Sequence, residues 1–129
     1  MKTSSNKTIM SAVGATGWGD PVDVQDWDKI GLYLAGDNTA VLTVKVAGSM
    51  QEVRPDFTSA ATVSNPWDYV RVINYQDDTA TDGDTGYVFA ADVVEQFNVN
   101  VDNLRWLNVE VSAWTSGDVT AIASLAKNE

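Results

Sequence analysis

The stretch RWLNVEVSAWTSGDVTAIASL, residues 105–125, decides the fold. Leu107, Val109, Val111 and Ala113 fall on one side of an extended chain, and Asn108, Glu110 and Ser112 on the other. Val119, Ala121, Ala123 and Leu125 repeat the pattern against Thr120 and Ser124. Period-two alternation marks half-buried strands. Thr115, Ser116, Gly117 and Asp118 carry turn chemistry between them, so the stretch reads as two paired strands and a short turn.

Most of the chain repeats this grammar. Lys29–Ala35 places Ile30, Leu32 and Leu34 on one face, and Val41–Val46 does the same with Leu42, Val44 and Val46. With Gly36–Thr39 as the turn, these two read as a hairpin. Val22 and Val24 alternate with Asp23 and Gln25 in a short strand, and Met50–Val53 reads as an edge strand. Pro55 and Pro66 rule out a central strand at their own positions, because proline has no amide for the ladder. Trp67–Tyr75 is apolar or aromatic on both faces and reads as a central strand covered on both sides. Tyr87–Ala90 and Phe97–Val101 complete the set, with one helical turn over Asp92–Phe97 as the alternative. Short strands at spacings of about 8–12 residues predict an all-β chain. The expectation is a single antiparallel β-sandwich, jelly-roll-like, over residues 16–129. A short, extended N-terminal arm over residues 1–15 precedes it, because its first eight residues are too polar to offset their ordering entropy.

Composition bounds the function. At 129 residues the chain is long enough for one domain with a real core. Cysteine and histidine are absent, which removes disulfides, thiolate and imidazole metal sites, and Ser–His or Cys–His nucleophiles. The net charge is −10, from 18 acids against 8 bases. Asp, which favours turns and caps, outnumbers the helix former Glu among those acids. Such a field argues against nucleic acid and anionic lipid, whose affinity comes largely from Lys and Arg. Residues 1–15 lack the apolar core of a secretion signal, and no run approaches the ~20 apolar residues of a membrane span. An acidic carboxylate pair could hydrolyse glycosides, but most Asp sit beside Gly, Asn or Thr in turns. No enzymatic activity, cofactor or metal is expected. The loop Asp77–Gly86 holds Asp77, Asp78, Asp82 and Asp84, yet no glutamate closes it as in a helix–loop–helix calcium site. It reads as a solvated hairpin loop with Asx turns.

Five tryptophans are many for this length. Trp18, Trp27 and Trp114 lie near loop ends, where exposed rings serve protein interfaces or stack on sugars. The plainer assignment for most of the five is core or edge cover.

Three segments carry a resemblance. Asn65-Pro66-Trp67-Asp68-Tyr69-Val70-Arg71-Val72, the loop Gly83-Asp84-Thr85-Gly86, and Asn98-Val99-Asn100-Val101-Asp102-Asn103-Leu104-Arg105-Trp106-Leu107 look like small virion structural proteins of tailed bacteriophages. The similarity spans roughly Lys29–Leu125 and is one of texture and short motifs. It implies a compact β-sandwich without catalytic motif, made in the host cytoplasm and resident on the capsid exterior. There it would act as a decoration or cement protein that bridges major capsid subunits and joins copies of itself as a homotrimer. Such proteins extend polar arms to neighbours. Ile9, Met10 and Val13 of the arm, with Trp18 and Trp114, are therefore the candidate interface residues. A carbohydrate-binding sandwich and a tail or baseplate component are the alternatives.

Overall fold

The computed structural model describes residues 2–90, 94–100 and 103–128, and among them every regular element is a strand. In chain order these are β1 (Lys2–Val13), β2 (Gly17–Trp18), β3 (Val22–Asp23), β4 (Lys29–Gly36), β5 (Val41–Ser49) and β6 (Asp68–Tyr69). Then come β7 (Val72–Asn74), β8 (Ala80–Thr81), β9 (Tyr87–Ala90), β10 (Val94–Val99), β11 (Trp106–Ser116) and β12 (Val119–Asn128). One sheet runs β1-β12-β4-β10-β7-β8. The other runs β2-β11-β5-β6, with β3 also on β11 and β9 also on β5. Every pairing is antiparallel. The two sheets form the expected β-sandwich.

The alternation explains the packing. Ile30, Leu32 and Leu34 of β4, with Val119, Ala121, Ala123 and Leu125 of β12, are buried on the inner face of the first sheet. Leu42, Val44 and Val46 of β5 and Leu107, Val109 and Val111 of β11 bury the inner face of the second. Phe89 and Phe97 flank Tyr87 edge-on, at centroid distances of 5.0 and 5.1 Å, and close one flank of the interior.

The strands of residues 105–125 form as expected but do not pair with each other. β11 lies in one sheet and β12 in the other. The segments 29–35 and 41–46 behave alike: β4 bonds to β12 and β10, whereas β5 bonds to β11 and β9. Both turns are arches that cross between layers, not hairpins. The cause is that each strand's apolar face must meet another apolar face, and a crossing sets the two faces opposite one another. The arches brace each other at one end of the sandwich. Asp37 donates its amide to the Asp118 carbonyl (3.2 Å), and Ser116 Oγ donates to the Thr39 carbonyl (2.6 Å).

Other expectations are corrected by the same geometry. A bulge in β11 advances the pairing from Val111↔Val44 to Ala113↔Thr43. One extra residue inverts the alternation, so Ala113 emerges on the exposed side instead of the core. Residues 67–75 are not one central strand. Asp68–Tyr69 pairs with β5, and the chain then crosses at Val70–Arg71 to pair as Val72–Asn74 with β10. Met50–Val53 is irregular, because Ser49 Oγ turns the chain by donating to the Pro66 carbonyl (2.7 Å) and accepting the Gln51 amide (3.2 Å). Val94–Phe97 belongs to strand β10 and not to a helical turn; Asp92 and Val101 lie outside the described residues.

The segment read as an arm is a full strand. β1 pairs with β12 from Lys2↔Asn128 to Val13↔Val119. Its polar first half needs no core, because ladder bonds to β12 hold it. Its second half is anchored by Ile9 and Met10, which are only 2% and 5% exposed.

Candidate interaction surface

The five candidate interface residues are scattered by the fold. Ile9 and Met10 are core residues and cannot meet a neighbour in this conformation. Val13 is half-buried against the core. Trp18 and Trp114 remain on the surface, on different parts of it.

Trp18 belongs to an aromatic cluster outside the second sheet. Its ring lies 5.7 Å from Phe57, 5.3 Å from Trp67 and 6.2 Å from Tyr69. The long loop after β5 returns over this face, and buried Phe57 seals it. Asn65 staples the loop by accepting the Asp56 amide (2.8 Å) and donating to the Asp56 (2.8 Å) and Ala60 (3.2 Å) carbonyls. Trp67 Nε1 donates to the Ser59 carbonyl (3.0 Å). Asp56 accepts bonds from Thr58 and Ser59, which hold its carboxyl below the usual range. These rings pack on one another and hold the loop down, while Trp18, Trp67 and Tyr69 stay half-buried. Asn108, read as outward, lies under the same loop region and is buried.

A charged row borders the cluster. The ladder sets Trp18 beside Glu110 and Glu110 beside Lys45. Tyr69 donates its hydroxyl to Glu110 Oε1 (2.7 Å), and Lys45 Nζ sits 4.8 Å from the Tyr69 ring centre. Burial first, and then the bond and charge of Glu110, push the Tyr69 phenol up to about 12 from its ordinary 10.0. A phenol held protonated by the fold stabilises it fully below pH 10, and that contribution is lost as pH rises towards 12. In an alkaline titration followed by phenolate absorbance, Tyr69 is expected to contribute a step near pH 12 that is absent in Tyr69→Phe. A titration curve unchanged by that substitution would contradict the burial of the Tyr69 hydroxyl against Glu110.

Trp114 marks a different surface. It is 44% exposed, and its Nε1 donates to the Gly117 carbonyl (2.8 Å), so the ring is pinned on the second arch. Its ladder partner is the buried Leu42, so Trp114 stands at the arch end of the sandwich, on the side away from the outer face. That outer face of the second sheet carries Val88, Thr43 and Ala113 in one row and Ala90, Val41 and Ser116 in the next. Val41 is 40% and Val88 59% exposed. Neither row holds a charge, in a chain of net charge −10. The sequence singles out Trp114 but not Val41 or Val88: Val88 lies between two aromatic residues and Val41 opens an apolar strand, so both read as core until their face is known.

Trp27 is partly buried against the core, with Lys127 Nζ 5.4 Å from its ring centre. The acidic loop spends its carboxylates on its own backbone. Asp77 accepts the Thr79 amide (3.0 Å) and Asp82 the Asp84 amide (2.8 Å), the Asx turns expected there. Among the described residues no three acids converge as a metal site would require.

No protein-family model matches the chain, and no curated protein is similar to it in sequence. Solved structures share its fold. The SPBc2 prophage-derived protein YomS superposes with a TM-score of 0.74 at 13% identity, over 98% of this chain and 96% of its own. The PBSX exported protein XepA superposes with a TM-score of 0.73 at 14% identity, and this chain, at 98% coverage, spans 38% of it. The chain is thus similar in fold to two phage-derived proteins across its whole length.

Proposed function

We propose that the protein is a non-enzymatic structural component of a phage particle, an exterior capsid decoration or cement protein that bridges major capsid subunits. The observation that carries this reading is the uncharged outer face of Val88, Thr43, Ala113, Ala90, Val41 and Ser116, with exposed Trp114 at the arch end beside it along β11. Exposed apolar side chains on an uncharged face, with a fixed tryptophan at its end, are usual anchors of a protein interface. Three further features support it. The fold is that of two phage-derived proteins. We read the strand order, β1-β12-β4-β10 in one layer against β2/β3-β11-β5-β9 in the other, as jelly-roll-like, a design found in viral shells. The strong negative charge suits an outer surface better than one facing packaged DNA.

Binding to many equivalent capsid sites, with further copies alongside, lets avidity offset a weak single contact. The test uses DNA-filled heads of the producing phage that lack this protein. Trp114→Ala and Val88→Asp are each expected to weaken binding about tenfold or more, as hot-spot losses do. Val88→Asp should change stability by no more than about 0.5 kcal/mol, because its side chain faces solvent. Full binding by both variants would overturn the reading. A tail or baseplate role predicts that labelled protein decorates tails instead of heads. A sugar-binding role predicts quenching of Trp114 fluorescence by glycans.

A further inference from the structure

The first sheet has an outer face that the proposed capsid contact does not use. The ladder aligns Thr8, Ile122, Tyr33 and Gln96 in one row across β1, β12, β4 and β10. The next row holds Asn6, Ser124, Gly31 and Asn98. The charges in this face's register, Lys29 and Lys2, stand at one rim, and no acid shares that register on these four strands among the described residues. The opposite sheet differs: Lys45 and Glu110 project from its outer face, and the acidic loop lies beside it, where Gly83 backs onto Tyr69 and Val70.

An uncharged face of this extent is informative in a chain of net charge −10. Two such chains repel through most of their surfaces, and only a face without acids lets copies approach closely. Its size suits the purpose. Four strands about 4.8 Å apart and up to eight residues long at about 3.3 Å each span roughly 500 Å² in projection. Side-chain relief adds to that, against the roughly 800 Å² per partner of a standard interface. Small residues around Gly31 keep the surface flat, and Tyr33 and Ile122 stand at its centre as apolar anchors.

We infer that a second copy of this chain docks on this face, the two outer sheets packing about 10 Å apart in an isologous pair. The inference deepens the self-association part of the proposed function by assigning its surface. The same patch meets itself, so the contact makes pairs, and a trimer would need a second contact. It also sets a sign for salt. Screening relieves the repulsion between the acidic remainders of the two chains, so the pair tightens as salt rises.

Sedimentation equilibrium on the full chain tests this. The wild type should show a two-chain mass that strengthens between ~0.05 and ~0.5 M salt. Ile122→Asp with Ser124→Asp sets like charges against each other and should weaken the pair about a hundredfold or more. Gln96→Glu with Asn98→Asp, nearly isosteric, should do the same and covers the case in which the first variant folds poorly. Val88→Asp, on the other sheet, should leave the pair intact. A monomer at every concentration and salt would overturn the inference, as would an association that survives both double variants or is abolished by Val88→Asp. Head binding is measured separately, so loss of the capsid reading leaves this result standing.

Discussion

A chain lacking residues 1–13 is expected to lose its cooperative unfolding transition, or to keep one with a far lower denaturant midpoint. An expendable arm would leave that midpoint unchanged. The difference lies in Ile9 and Met10, which pack into the core with Val109, Val111 and Val119. Emptying a buried site of that size costs about 2–5 kcal/mol, and two such losses approach the margin of a small domain, about 5–15 kcal/mol. The strand also supports the turn between β2 and β3. The Ile9 carbonyl accepts the Asp20 amide (2.8 Å), and Gly19 is so close that an added β-carbon would lie 2.6 Å from Ile9 Cγ2. Gly19 in turn donates to the Val109 carbonyl (2.9 Å), which fixes the β2 turn that presents Trp18. Removing β1 would thus release the aromatic cluster as well as one edge of the sheet. Removing residues 1–7 alone spares Ile9 and Met10, and its midpoint should move far less. If the longer deletion melted like the wild type, the placement of β1 in the core would be wrong. Particle binding by a chain without residues 1–13 would accordingly report folding, not adhesion.

This strand shows which features are legible in the sequence and which are not. Alternation is a local property, so the strands containing Leu32, Val44, Val109 and Ala121 were readable, and with them the sandwich. Pairing is not local. Asn6 and Ser124 meet only because β12 offers an open edge, and no window around Asn6 records that. The turns at Gly36–Thr39 and Thr115–Asp118 have hairpin composition, yet each joins opposite layers. Composition specifies that the chain reverses, while the burial of both flanking apolar faces decides which layer it returns to. Ala113 was misplaced by one extra residue in β11, a bulge without a signature in single-sequence composition. For the surface, Trp114 was visible as an aromatic beside a turn. Val88 and Tyr33 gained meaning only once the faces of β9 and β4 were known.

Replacing Gly117 by alanine is expected to lower the melting temperature by about 10 °C or more. Gly117 has φ +77°, in the left-handed region where a β-carbon adds about 1–2 kcal/mol of strain. Space is also missing. A β-carbon there would lie 2.5 Å from Ala40 Cα, 2.5 Å from Asp37 Oδ1 and 2.7 Å from the Ala40 nitrogen. Two of these atoms are backbone of the neighbouring arch, and Asp37 is fixed by accepting the Thr39 amide (3.0 Å), so no flexible side chain can yield. Strain and displacement together should reach about 3 kcal/mol, within the range of named large-effect mutations. For a domain of this size that corresponds to about 10–15 °C. Gly31→Ala is the control, because its β-carbon would meet neighbours no nearer than 3.7 Å and its melting should hardly move. The substitution also reaches the proposed contact surface, since the Gly117 carbonyl accepts the Trp114 indole N–H. Forcing the arches apart should release that ring, so head binding should fall even at temperatures where Gly117→Ala remains folded. A melting temperature within about 2 °C of the wild type would mean that the two arches do not touch as described, and the rigid presentation of Trp114 would fall with them.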